Sequence, residues 1–132
     1  VETIKQELAQ QYPAAHSLTI EFLATGEFLY RTHQESDMDY SPVLLSYAKA
    51  LENELMILLS RQGHIALEGK YTFGELVYIL RKHTAYTVLV TGVRPILKLR
   101  NNAAHHSITS RLTVQAVRDS LFEEDWFETL WD

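Results

Sequence analysis

The sequence predicts an all-α fold, a single-domain helical bundle of about five helices. Apolar residues recur at three- and four-residue steps along most of the chain, as in amphipathic helices. One short segment has the β-branched and aromatic residues that suit a strand, and no second strand pattern exists to pair with it. With 132 residues and 46% hydrophobic content, the chain can bury one core, so we expect a single domain over residues 1–132.

The first half of the chain predicts three helices. "VETIKQELAQQ" ends before Pro13, and "SLTIEFLATGEFLYRTH" carries a broad apolar face. "QESDMDY" is polar and predicts a loop. From Ser41 to Leu59, serine at an expected N-cap and proline at the first helical position open a long apolar pattern, which stops before Gly63. We expect a central core helix with a buried face of Val43, Leu44, Tyr47, Leu51, Leu55, Leu58 and Leu59.

The second half begins with a clear helix start. Thr72 with Glu75 forms a capping box that opens "FGELVYILRKH". We interpret "AYTVLVTGV" as a buried helix or an irregular connector leading to Gly92, and expect Pro95 to start or kink the next helix, "PILKLRNNAAH". After a turn, we expect Thr113 to cap a last helix, "VQAVRDSLFEE", before the acidic and aromatic tail "WFETLWD".

Composition narrows the classes of function. The chain has no cysteine, so neither a disulfide scaffold nor a thiolate metal site is available. No run approaches 18 uninterrupted apolar residues, and the N-terminal residues do not resemble a signal peptide. We therefore expect a cytoplasmic protein without a membrane partner. The start at Val1 rather than methionine is consistent with processing, or with a segment cut from a longer chain.

The charge distribution is uneven. The net charge of −5 argues against a nucleic-acid partner, because binding a polyanion depends on Lys and Arg. Between Glu75 and Asp119, however, the chain carries no acidic residue at all. Seven basic residues lie there: Arg81, Lys82, Arg94, Lys98, Arg100, Arg111 and Arg118. Two interpretations stay open, a pair of helices whose cations face solvent and an anion-binding face on an otherwise acidic protein.

The most polar stretch, "LRNNAAHHSITSRL", lies in the middle of this acid-free region. Placed at helical steps of about 100°, Ile96, Leu99 and Ala103 share one face. The opposite face carries Arg94, Lys98, Asn101 and His105. Cations near a helix C-terminus are favoured by the helix dipole, so this stripe alone does not establish a function.

Arg100 does not belong to that stripe. In a continuous helix, Arg100 and His105 would point about 140° apart. The two side chains meet at one phosphate only if the helix ends between them or if a second copy of the chain contributes. Asn101 and Asn102 are candidates for a helix end, because asparagine tolerates the left-handed conformation.

These residues resemble the HEPN domains (higher eukaryotes and prokaryotes nucleotide-binding). "RNNAAH", Arg100 to His105, is similar to the family's signature of an arginine, four residues and a histidine, with Asn101 as the polar residue after the arginine. "YSPVLLSYAKALENEL" resembles the long helix that precedes the motif in many members, and "LTVQAVRDSL" the helix after it. The resemblance spans Tyr40 to Leu121.

The resemblance implies an up-and-down bundle, usually dimeric, whose active members cut RNA without a metal or cofactor. His105 would take the proton from a ribose 2′-hydroxyl, and Arg100 would stabilise the charge that builds on the phosphate. Asn101 would orient the phosphate or the histidine. The expected contacts with RNA are Arg94, Lys98, His106 and Arg111, and His106 is also an alternative base, either replacing His105 or serving beside it.

The resemblance also implies the partners. They are RNA, a second copy of the chain and, if the protein is a toxin or a defence or stress effector, a nucleotidyltransferase-like antitoxin. Two alternatives stay open. One is a catalytically silent HEPN-like module for dimerisation or RNA binding, and the other is a helical adaptor whose basic face holds an acidic protein.

Overall fold

The fold is all-helical, as predicted. A computed structural model describes residues 1–34, 38–66, 68–104 and 108–122, apart from the side chain of Thr84. These residues form six α-helices and one 3₁₀ turn at Thr84–Tyr86, and no strand. The helices are α1 (Glu2–Gln11), α2 (Ser17–Thr32), α3 (Ser41–Arg61), α4 (Phe73–Arg81), α5 (Thr87–Ala104) and α6 (Arg111–Phe122). In the described ranges, no helix combines the length and apolar character needed to cross a membrane.

Helix α3 is the centre of the bundle, which confirms the prediction of a core helix. Helices α2, α4, α5 and α6 all pack against it, while α1 packs against α2. All seven residues of its predicted apolar face are buried. Burying a side chain such as Leu51 or Leu55 contributes about 1.5–3 kcal/mol each, so this face supplies much of the driving force for folding.

The helix starts differ from the prediction at two of three positions. The capping box of α4 is confirmed, because Thr72 Oγ1 accepts from the Glu75 N–H at 3.1 Å and Glu75 Oε1 accepts from the Thr72 N–H at 3.3 Å. Ser41 is not the N-cap of α3 but its first helical residue. Thr113 does not cap α6 either. The cap is Ser110, whose hydroxyl accepts from the Thr113 N–H at 3.1 Å, so α6 begins three residues earlier than expected.

Helix α5 is one continuous helix, which corrects the expectation that Pro95 could start a separate helix after a connector. It runs from Thr87 to Ala104 with Pro95 inside it. Proline removes one bond, to the carbonyl of Thr91 four residues earlier. Both Thr91 and Pro95 lie on the exposed side of the helix, where water can reach that carbonyl, and the buried side of α5 keeps the helix in place.

A buried carboxylate joins three helices. Glu27 of α2 is only 1% exposed. Its carboxylate accepts from Arg118 of α6 at 2.6 and 3.0 Å, from the Tyr47 hydroxyl of α3 at 2.7 Å, and from Arg31 at 3.1 Å. Burial by itself would raise the pKa of Glu27, but the hydrogen bonds from Arg118 and Tyr47 and the two guanidinium charges hold that pKa below the ordinary carboxyl value.

A close approach of α2 to α3 brings Tyr47 to this carboxylate. Gly26 lies against the Tyr47 ring, and a β-carbon at Gly26 would stand 2.7 Å from the nearest ring carbon. Tyr47 is fully buried, so the ring has no free space into which it could move. Glycine at position 26 therefore lets the tyrosine hydroxyl reach Glu27.

Gly26→Ala is expected to lower the free energy of unfolding. Overpacking against Tyr47 costs about 1–3 kcal/mol, which exceeds the gain of about 0.5–1 kcal/mol from replacing a helical glycine. Urea unfolding measures the difference. The matched control is Gly74→Ala at an exposed position of α4, where the added carbon meets nothing closer than 3.9 Å and stability should stay equal or rise. Equal effects at both positions would contradict the close packing at Gly26.

Glu27 is expected to make the bundle sensitive to acid. Because its folded pKa is lowered, its contribution is complete above the ordinary value of 4.5 and is lost as the pH falls through the folded pKa. Glu27→Gln should cost about 3–5 kcal/mol at pH 7 and flatten the loss of stability below pH 4.5, as measured by urea unfolding at a series of pH values. Glu21→Gln, which removes an exposed partner of Lys5, should cost less than about 1 kcal/mol.

Candidate nucleic-acid interface

Helix α5 presents its predicted polar stripe to solvent. Arg94, Lys98 and Asn101 are exposed, whereas Ile96 on the other side is buried and Leu99 half-buried. The three polar side chains line an open groove of about 740 Å³, which also includes Pro95 and Leu97. The described part of the stripe therefore has the placement that the helical spacing predicts.

Arg100 does not line this groove, but its neighbour Asn101 does. Arg100 is half-buried and borders a second pocket, between α2, α3 and α5. Its Nη1 donates to the Asn101 Oδ1 at 3.3 Å. The structure thus brings the predicted arginine and the predicted polar residue beside it together, at the boundary between the two concave surfaces.

The histidines of the motif lie outside the described residues. Helix α5 continues through Asn101 and Asn102, so neither asparagine ends it, and its last residue is Ala104. His105 and His106 belong to residues 105–107, which the structure does not describe.

The chain that follows the motif is anchored to the start of α3. Thr109 donates its N–H to Asp39 Oδ1 at 2.9 Å, and its carbonyl accepts from the Tyr40 N–H at 2.9 Å. The same Asp39 oxygen accepts from the hydroxyl and the N–H of Ser41, at 2.7 and 3.1 Å. These hydrogen bonds hold the pKa of the Asp39 carboxyl below its ordinary value, and the bond from the Thr109 N–H has the largest effect. No pattern in the sequence indicates this role of Asp39, because Thr109 is 70 residues away along the chain.

Arg111, an expected RNA contact, is engaged within the chain. Its Nη1 donates to the His33 and Tyr30 carbonyls at 2.9 and 3.3 Å, and its guanidinium lies 4.0 Å from the Tyr30 ring centroid. The same nitrogen is 3.4 Å from the Tyr40 hydroxyl. Carbonyl oxygens and ring faces attract a cation, so Arg111 joins the start of α6 to the end of α2. We therefore assign it a structural role.

Apart from Arg100, the cations of the acid-free region thus divide into two groups. Arg111 and Arg118 are held by α2, whereas Arg81, Lys82, Arg94 and Lys98 are exposed. Arg81 and Arg94 border one small pocket on the surface of α4 and α5, beside the groove that contains Lys98. We call Arg81, Arg94 and Lys98 the cationic stripe. These exposed cations can attract a polyanion.

Of the four histidines outside the motif, His16, His64 and His83 have side-chain contacts within the protein. His16 caps α2 by accepting from the Leu18 N–H at 3.1 Å, and the rings of His64 and His83 stack with their centroids 3.8 Å apart. Among the residues that the structure describes, no three His, Asp or Glu side chains are grouped so that they could hold a metal ion.

Comparisons with protein-family models, with curated proteins and with solved structures found no match for this chain.

Arg111→Ala is expected to lower stability by about 1.5–3 kcal/mol, because it removes charge-assisted hydrogen bonds to two carbonyls. The matched control, Arg94→Ala, removes an exposed cation and should change stability by less than about 0.5 kcal/mol. Urea unfolding of both variants measures this contrast. Equal stabilities would contradict the structural role of Arg111.

Proposed function

We propose that the protein is a metal-independent endoribonuclease of the HEPN type. The observation that carries the proposal is the Arg100–Asn101 pair, which is hydrogen-bonded in the last turns of α5, a few residues before His105. An arginine fork, an amide and an imidazole within six residues are groups suited to metal-free cleavage of RNA.

The proposed reaction is an internal transfer at phosphorus. His105 takes the proton of a ribose 2′-hydroxyl, and the resulting oxygen forms a bond to the adjacent phosphorus. The bond from phosphorus to the 5′ oxygen breaks, and that oxygen receives a proton from His106, serving beside His105. The products are a 2′,3′-cyclic phosphate and a 5′-hydroxyl end. Arg100 stabilises the negative charge on the non-bridging oxygens, and Asn101 holds the arginine in place.

The cationic stripe supports an extended RNA substrate. Arg94 and Lys98 lie fewer than two turns before Arg100 on the exposed side of α5 and contact the phosphates that flank the cleaved one. On a chain of net charge −5, a local positive surface also directs a polyanion toward this face. Arg111 supports the site indirectly, because it fixes the chain that follows the motif.

A second copy of the chain is the proposed partner. Ile108 and Leu112 are 80% and 78% exposed; Ile108 directly follows the segment that contains the two histidines, and Leu112 lies in the first turn of α6. Large apolar side chains exposed near one another favour a protein contact. A two-fold contact there brings two copies of the motif face to face.

The proposal predicts cleavage of RNA in the presence of EDTA. Wild-type protein should cut a labelled RNA into fragments with cyclic phosphate ends, and should leave DNA of the same sequence intact because DNA lacks the 2′-hydroxyl. Arg100→Ala and His105→Ala should each lower the rate by about 100-fold or more. Arg100→Lys should not restore it, since lysine lacks the planar fork. His64→Ala, a histidine outside the motif, should cut at the wild-type rate.

The outcomes separate the proposal from its alternatives. Equal background cleavage by the wild type and both motif variants would overturn the nuclease. Salt-sensitive RNA binding without cleavage would favour a silent RNA-binding module, and capture of an acidic protein without RNA binding would favour an adaptor. Circular dichroism of each variant checks that its loss of activity is not a loss of fold.

A further inference from the structure

The pocket beside Arg100 has the composition of a nucleotide site. It measures about 470 Å³ and lies between α2, α3, α5 and the loop that precedes α4. Its chemically distinctive side chains are Arg100, Lys49, Lys70, Glu52, Phe22 and Tyr71. Three cations suit a phosphate, and two aromatic rings suit the flat face of a base.

Glu52 is the single carboxylate in the lining of this pocket. It lies on α3 and is half-buried, and burial raises its pKa above the ordinary carboxyl value although the charges of Arg100 and Lys49 act to lower it. In the described part of the chain, no cation lies within 4.0 Å of it to form an ion pair. A half-buried carboxylate that forms no ion pair is stabilised when a ligand donates hydrogen bonds to it.

The aromatic side chains form the walls of the pocket. Tyr71 folds back over Gly69, so closely that a β-carbon at Gly69 would lie 2.4 Å from the ring. Across the pocket, the Phe22 ring carries the ammonium of Lys49 at 5.8 Å from its centroid. Both rings are half-buried and so are held in place while one side remains open to a ligand.

We propose that this pocket binds a guanine base, and that the Glu52 carboxylate accepts hydrogen bonds from the base N1–H and 2-amino group. The inference rests on the proposed function, because the base belongs to the nucleotide whose 3′ phosphate Arg100 binds. Tyr71 stacks on the base, and Lys49 and Lys70 face its phosphate. The enzyme then cuts RNA on the 3′ side of guanosine.

Guanine is the base that fits a carboxylate best. Its Watson–Crick edge presents two adjacent donors, which match two acceptor oxygens. Adenine and cytosine each place a ring acceptor beside their amino group, and that acceptor would face a carboxylate oxygen. Uracil offers one donor between two acceptors. A site built from hydrogen-bond acceptors rejects the bases that leave those acceptors unpaired.

Binding of nucleoside 3′-monophosphates tests the inference directly. Isothermal titration of the His105→Ala variant should show 3′-GMP binding at least about tenfold more tightly than 3′-AMP, 3′-CMP or 3′-UMP. Adding Glu52→Gln should abolish the preference, because glutamine replaces one acceptor with a donor. Glu68→Gln, an exposed carboxylate outside the pocket lining, should preserve it. Tyr71→Ala should weaken all four nucleotides by about tenfold. Equal affinities for the four nucleotides, or a preference that survives Glu52→Gln, would overturn the inference.

Cleavage separates this inference from the proposed function. DNA strands that carry one ribonucleotide, rG, rA, rC or rU, offer a single cleavable site each. Wild-type protein should cut at rG at least about tenfold faster than at the others, and Glu52→Gln should remove that difference. Equal cleavage at all four would overturn the guanine site and leave the nuclease standing. Selective 3′-GMP binding without any cleavage would overturn the nuclease and support the guanine site.

Discussion

The structure depends on one buried interaction, the carboxylate of Glu27 among Tyr47, Arg31 and Arg118. Taking a carboxylate out of water is costly, and the cost is met here because hydrogen bonds from a guanidinium and a phenol replace the lost water. The partners come from α2, α3 and α6, so the interaction fixes the position of α6 relative to the core. Helix α6 follows the motif directly, and the geometry of the candidate site therefore rests on a residue in the first quarter of the chain.

Two further contacts hold the chain on the C-terminal side of the motif. The Asp39 carboxylate accepts from the Thr109 N–H, the Tyr40 N–H donates to the Thr109 carbonyl, and Arg111 binds the end of α2. On the N-terminal side, α5 keeps its helical form through Pro95 to Ala104. The segment with the proposed catalytic histidines thus connects two anchored points. A site that needs an imidazole and a guanidinium at defined positions benefits from such support, because a small displacement of either group lowers the catalytic rate strongly.

The polar residues of α5 lie on two sides of the helix, at two different concave surfaces. Arg94 and Lys98 face the open groove, and Arg100 faces the pocket with Glu52, with the Asn101 carboxamide between them. In the proposed nuclease, the first surface would bind the phosphates and the second would recognise a base, so affinity and specificity would come from different sides of one helix. The scissile phosphate would lie where the two sides meet, near the end of α5.

The sequence by itself determined the helical class, the central helix and the polar stripe, because apolar spacing fixes which face of a helix is buried. It also located the capping box of Thr72 and Glu75, which is a local pattern. Tertiary structure decided the rest. Helix α5 passes through Pro95 because the packing of its buried side against α3 and α4 outweighs the local preference of proline. Ser41 bonds to Asp39, two residues earlier, and its hydroxyl also contacts that of Thr109, which is distant in sequence. Tertiary contacts also distinguish the cations. Arg94 and Arg111 look alike in sequence, but Arg111 has a structural role because backbone carbonyls and a tyrosine ring surround it. The position of Glu52 beside Arg100 likewise follows from the packing of α3 against α5, which no spacing along the chain records.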